Sequence, residues 1–278
     1  MFLDPLTKIE IEKIFLDKSS KSVLEYFLKK NLTSIPQVRE VDSLPPLRIP
    51  KEYYEIWISQ MMNGEPKGSG SYPIDVIVDS KEIAIDICGL SIKKKKDGAF
   101  DKWTGEKSLA QKFDSDNFGQ SGQDLDDLFK NLEADKIVDS FKAIMTKKYD
   151  KVFNENKIES IYIFNFINNN NDQEIYLSAL KVDKDKIYNW EAGKITKSTC
   201  IFENAIDADY GQIKAYKAKK RLELRLNMNG LREADCIYKI KYSFGKKIRK
   251  KNFREELIKD ACFLDKIEES EGVSVIFE

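Results

Sequence analysis

Histidine is absent from the 278 residues. Its absence removes Ser-His-Asp and Cys-His catalysis, His-ligated zinc, and the one side chain whose unperturbed pKa lies near neutrality. Enzyme chemistry on this chain must therefore run on carboxylates with a metal, or on a perturbed lysine. Cysteine is scarce as well: Cys88, Cys200, Cys236 and Cys262 lie far apart, without the close pairs of a zinc site. Such spacing reads as reduced thiols in a cytoplasmic protein. No charge of one sign prevails, because 47 basic residues face 47 acidic ones, so only local clustering can point to a partner. A signal-peptide pattern and an apolar run long enough to span a bilayer are both missing, so the expectation is a soluble chain without a membrane partner.

What is present suits a folded core. Hydrophobic residues make up 41% of the chain, enough for one main domain with appended elements. Apolar spacing predicts helices over Leu6 to Phe15, Ser20 to Leu28 and Lys51 to Met62, the last with an aromatic face of Tyr53, Tyr54 and Trp57. These suggest an N-terminal helical region, 1–66, leading into a core over 67–278. Within the core, short helical spacing runs from Thr104 to Phe113 and a longer pattern from Asp124 to Tyr149. Strand pairs are expected at 74–78 with 82–88 and at 160–167 with 174–182, and a further strand from Arg221. That order implies an α/β fold with a mixed central sheet flanked by helices.

The densest signal is Pro73-Ile74-Asp75-Val76-Ile77-Val78, a turn, then Glu82-Ile83-Ala84-Ile85-Asp86-Ile87-Cys88. Each apolar strand carries one acid where alternation calls for a hydrophobe. A carboxylate there costs several kcal/mol of desolvation unless it is paired or holds a cation. Read functionally, a hairpin brings Asp75 and Asp86 to one hard cation. Mg2+ prefers oxygen ligands and keeps several waters, so two carboxylates suffice to hold it beside a phosphodiester. Read structurally, both acids are strand-end carboxylates facing water.

Pro73-Ile74-Asp75 followed by Asp86-Ile87-Cys88 resembles the PD-(D/E)XK nuclease signature, in which a Pro-Asp strand precedes acid-X-Lys on the next strand. The continuation Gly89-Leu90-Ser91 and a polar segment with Glu106, Lys107 and Gln111 resemble type II restriction endonucleases. This covers roughly residues 68 to 115. The resemblance implies a restriction-endonuclease-like fold, a site-specific endonuclease acting on double-stranded DNA with Mg2+ as cofactor, and a homodimer. Asp75 and Asp86 would be catalytic metal ligands, with Glu82 as a further ligand and Gln111 positioning the DNA backbone. Glu55, on the helix before the core, is a further candidate acid.

Cys88 departs from the pattern, since it stands where the family usually has lysine. Lys93, another lysine of the 93–96 run or Lys112 would then swing in from elsewhere, or the position tolerates substitution, or the protein does not cut. A cleavage-deficient DNA-binding protein of the same fold is therefore the alternative, and an adaptor without nucleic acid a third reading. For DNA contact, the candidates are Lys107 and Lys112 on phosphate, and Arg221, Arg225 and Asn227 on one face of a strand that enters a groove. Lys250, within the basic run from Lys246 to Arg254, would neutralise phosphates. Each also has a plainer reading as solvated surface charge.

Overall fold

The structure, a computed structural model, describes residues 1–33, 49–67, 72–110, 124–169, 173–243 and 274–278. Gln111, Lys112, Lys250 and Cys262 lie outside the described residues. The chain is a mixed α/β fold. Its main sheet runs in the order β13-β12-β7-β6-β4-β3-β2, with β1 also paired to β7. The strands are β1 (Leu3–Pro5), β2 (Glu65–Pro66), β3 (Val76–Val78), β4 (Ile83–Ile92), β6 (Ser160–Asn169), β7 (Glu174–Val182), β12 (Tyr238–Ser243) and β13 (Ser274–Phe277). Pairing is antiparallel except between β4 and β6, which run parallel over ten residue pairs. A parallel neighbour needs a crossover, and α5 (Ala134–Glu155) lies within it.

A second, antiparallel sheet has the order β5-β11-β10-β9-β8. It comprises β5 (Lys107–Ala110), β8 (Glu191–Ile195), β9 (Thr199–Glu203), β10 (Gly211–Tyr216) and β11 (Arg221–Leu226). One apolar cluster fills the space between this sheet, α5 and one face of the main sheet, through Phe141, Met145, Phe202, Leu222 and Leu224. The other face of the main sheet packs on α1 (Lys8–Phe15), α2 (Lys18–Thr33) and α3 (Lys51–Met62), through Phe15, Trp57, Ile85 and Phe164. The alternation of β4 sends Ile83, Ile85 and Ile87 to the helices, and Ala84 and Leu90 to the second sheet.

Local chemistry explains the boundaries. Thr7 caps α1 and Glu10 returns the hydrogen bond to the Thr7 N–H at 2.8 Å, a capping box. Thr7→Ala is expected to cost about 1 kcal/mol, a fall of roughly 2–4 °C in Tm, checked by thermal unfolding. Tyr54 anchors α3 on the sheet: its ring stacks on Phe166 at 4.2 Å between centroids, and its hydroxyl accepts from Asn168 Nδ2 at 2.9 Å. Gly89 permits that approach, because a Cβ there would lie 2.8 Å from the Tyr54 ring.

Several expectations are corrected. The 1–66 region is not wholly helical, since β1 pairs with β7 in the main sheet. Residues 107–110 form a strand rather than a helix: Leu109 and Ala110 are buried on β11, and tertiary pairing overrides the local helical spacing. The pattern from Asp124 to Tyr149 is two helices, α4 (Leu125–Lys130) and α5, broken where Leu132 adopts a left-handed φ of 56°. Of the aromatic face on α3, Tyr54 and Trp57 are buried while Tyr53 is exposed.

Candidate functional site

Val76 pairs with Ile85 in the antiparallel register of β3 and β4, so the next pair outward sets Asp75 opposite Asp86. The Asp75 N–H donates to the Ile85 carbonyl at 3.1 Å. Its carboxylate accepts the Ile87 N–H at 2.6 Å, while its own carbonyl accepts from Lys67. Asp75 is thereby fixed by a backbone donor rather than left to solvent. Asp86 lies four residues into β4 on the face toward α5 and the second sheet, and is only 8% exposed.

Three lysines converge on the two acids. Lys107 Nζ, on β5, lies 2.7 Å from Asp86 Oδ1 and its side chain is 4% exposed. Lys148 Nζ, on α5, lies 3.4 Å from Asp86 Oδ2 and donates to the Leu109 carbonyl at 3.1 Å. Lys51, on the first turn of α3, joins Asp75 Oδ1 at 3.2 Å to Glu55 Oε1 at 3.0 Å. The pleat explains why Lys107 reaches inward. It faces Leu224 across the β5–β11 ladder and so shares the core-facing side of that sheet.

The electrostatics separate the acids. Burial raises the pKa of Asp75, and the facing charge of Asp86 raises it further, against the Ile87 N–H and Lys51. Burial works the same way on Asp86, but the Lys107 and Lys148 ammoniums outweigh it and bring that carboxyl down to about 2. Burial would lower Lys107, yet Asp86 reverses the sign and its ammonium is held above the ordinary lysine value. Cys88 is half-buried, and desolvation pushes its thiol up, so it is a neutral neighbour of the cluster.

Another buried polar group adjoins the cluster. Tyr149, one residue after Lys148, has its hydroxyl buried without a hydrogen-bond partner among the described residues, within electrostatic reach of Asp86 and Lys107. A buried hydroxyl left unpaired costs about 1–3 kcal/mol, which a water or ligand oxygen at the site would recover.

The other candidate positions are placed as follows. Glu82 is exposed with a left-handed φ of 53°. It precedes Asp86 by four residues, about 13 Å along the strand, and is not brought to the pair. Lys93 is exposed beyond the far end of β4, seven residues past Asp86, and so does not fill the position that Cys88 leaves. Lys107 is buried on Asp86 rather than on an outer surface. Arg221 is exposed on β11, whereas Arg225 is bound to Glu106. Asn227 caps the short helix α6 (Met228–Glu233), accepting from the Gly230 N–H, and donates to the Asp209 carbonyl at 3.0 Å, so both ends of its amide are engaged. β11 is a central strand, so its charged residues do not guard an edge.

Lys51 and Lys148 were not among the expected site residues. Lys148 left a trace: it lies seven residues after Phe141 and beside the buried row Phe141, Met145, Tyr149 and Val152, a charge at the border of the apolar stripe.

Among the described residues no group of three or more His, Cys, Asp or Glu is arranged to hold a metal ion, so the carboxylate ligands on offer are the two aspartates. No helix among them is long and apolar enough to cross a membrane. No protein-family model, no curated protein and no solved structure matches the chain.

Proposed function

We propose that the chain is a Mg2+-dependent, site-specific endonuclease that hydrolyses double-stranded DNA on a restriction-endonuclease-like core. The observation that carries this reading is the meeting of Asp75, Asp86 and Lys107: two acids on paired strands, with a buried ammonium 2.7 Å from the second. On this reading Lys107 of β5 takes the part that the resemblance gives to a lysine at position 88.

Asp75 and Asp86 would hold the Mg2+, which when bound polarises a phosphoryl oxygen and acidifies a bound water. The residues present fit such an ion. Two facing carboxylates, one raised in pKa partly by the other, would be relieved by a cation between them. Two acids are enough, because Mg2+ retains waters in its remaining positions. Lys107 stays protonated at neutral pH, so it works as a fixed positive charge that orients the attacking water and offsets charge developing on the phosphate. Lys51, 52% exposed at its side chain, is the ammonium best placed to leave Asp75 for a phosphate oxygen. Cutting both strands of a palindromic site calls for two such centres, hence a homodimer.

A second reading, a DNA-binding protein of the same fold that does not cut, is favoured by one observation: both Asp86 oxygens already face ammonium groups. Supercoiled plasmid incubated with protein and Mg2+ separates the two. The endonuclease gives discrete fragments that vanish with EDTA and in Asp75→Asn. Sequence-specific retention of DNA with no cleavage selects the second reading, and neither activity rejects both.

A further inference from the structure

The outer face of the second sheet carries charge that the candidate site does not use. Register pairs Gln212 with Arg225, Lys214 with Glu223 and Tyr216 with Arg221, so these residues share one side of β10 and β11. Ile213, Ala215, Leu222 and Leu224 share the other side and are fully buried. β5 continues the outer side at Ser108, opposite Glu223.

The two acids of this area pair with Lys219 and Arg225, and Glu223 Oε2 has no hydrogen-bond partner among the described residues. Glu106 pairs with both Arg225 and Lys219, and Glu223, only 3% exposed, pairs with Lys219 at 3.3 Å. Lys102, Lys214 and Arg221 form no ion pair among the described residues. Burial lowers the pKa of Lys214, and the Lys102 charge lowers it further. Lys214 faces Glu223 across the register, yet Lys102, Lys214, Lys219, Arg221 and Arg225 together outnumber the acids Glu106 and Glu223, an excess of positive charge that an anion would offset. Tyr216 gives the area an aromatic floor, with Lys219 Nζ 5.5 Å and the Arg225 guanidinium 5.8 Å from its ring centroid. Exposed Glu203 and Glu191, paired across β9 and β8, mark the opposite edge of the sheet and end the positive area there.

The position of this face gives it a role. Among the described residues β5 is the edge strand of its sheet. Its inner side presents Lys107 to Asp86, and its outer side, at Ser108, faces Glu223, which in turn faces Lys214. β5 thus joins the candidate site to this face within two consecutive residues, Lys107 inward and Ser108 outward. We propose that Lys102, Lys214 and Arg221 grip the sugar-phosphate backbone of double-stranded DNA flanking the scissile bond. The proposal rests on the endonuclease reading for its geometry, and a polyanion of repeated phosphates is the occupant that Lys214 and Arg221 on the sheet face, with Lys102 on the segment before β5, suit.

Binding of the full chain to a fluorescent duplex of about 30 bp, followed by anisotropy in EDTA over a KCl series, tests it without cleavage. The triple variant K102Q/K214Q/R221Q is expected to lower the slope of log K against log[KCl] by about 2 to 3, at roughly 0.9 for each phosphate no longer neutralised. Its affinity at low salt should fall about 10- to 100-fold. The variant K102R/K214R, which keeps both charges, should retain the slope. A slope unchanged in the triple variant, or lowered equally in the control K13Q/K18Q/K186Q at exposed sites elsewhere, overturns the proposal. So does wild-type protein with no salt-dependent DNA affinity. Plasmid cleavage is scored separately: wild type that never cuts but loses its slope in the triple variant supports this surface and rejects the nuclease reading.

Discussion

Lys107→Met is expected to reduce plasmid cleavage about 10²- to 10⁴-fold, the range for losing a positioned group that acts on the reacting water. The size of the loss follows from where the ammonium sits. It is buried on Asp86 with its charge held on at neutral pH, and buried charge stabilises a developing anion far better than charge in water. Methionine fills nearly the same volume, so the packing of β5 on β11 survives. Lys148 remains near Asp86 at 3.4 Å, so the carboxylate is not left without a counter-charge.

A second substitution shows whether the effect belongs to the lysine's charge or to its place in the fold. Cys88 shares the pleat side of Asp86, two residues on, and lies opposite Asn165 in the parallel register. Asn165 is fully buried and its Oδ1 has no hydrogen-bond partner among the described residues. A lysine at 88 would meet both Asp86 and that acceptor. Cys88→Lys in the Lys107→Met background should recover at least about tenfold of the lost rate, within the range for one positioned proton-transfer or orienting group. Cleavage by Lys107→Met at the wild-type rate would show that Lys107 only neutralises Asp86, and would remove it from the reaction.

The acid pair was legible in the sequence because it breaks a pattern. Asp75 and Asp86 interrupt apolar strands joined by a short turn, and antiparallel pairing leaves one register for them. The lysines were not legible in the same way. Lys93 and Lys112 drew attention by nearness in the chain, yet the lysine on Asp86 comes from β5, 21 residues along, on a strand whose spacing imitates a helix. Register within the second sheet, set by β9, β10 and β11, decides that Lys107 turns inward. No local signal carries that information. Asn227 misled for a different reason: alternation places it on the polar side of β11, but the strand ends at Leu226 and Asn227 becomes the cap of α6. The mixed sheet followed from element order, whereas the β1–β7 pairing joins residues as distant in sequence as Leu3 and Val182 and is a product of tertiary packing.

The largest stability effect is expected at Asp86. Asp86→Ala removes the partner of a buried ammonium, and stranding such a charge costs about 3–5 kcal/mol. For a domain of this size that is a fall of roughly 6–20 °C in Tm. The sign with pH is fixed by the carboxyl's depressed pKa. Its contribution is complete above the ordinary value of 3.8 and fades as pH falls through about 2. Lys107, raised by the same partner, contributes fully below 10.5 and loses its contribution only as pH rises through its higher folded value. The deficit of Asp86→Ala should therefore be constant between about pH 5 and 9 in thermal melts. Adding Lys107→Met removes the stranded charge, so the double variant should regain about 1–3 kcal/mol over Asp86→Ala alone. On the endonuclease reading it should remain inactive on plasmid, because Asp86 would hold the cation and Lys107 would orient the water. Equal melting temperatures for the single and double variants would mean that Lys107 finds solvent when Asp86 is lost, and that the ion pair is less enclosed than its 2.7 Å separation and 4% exposure imply.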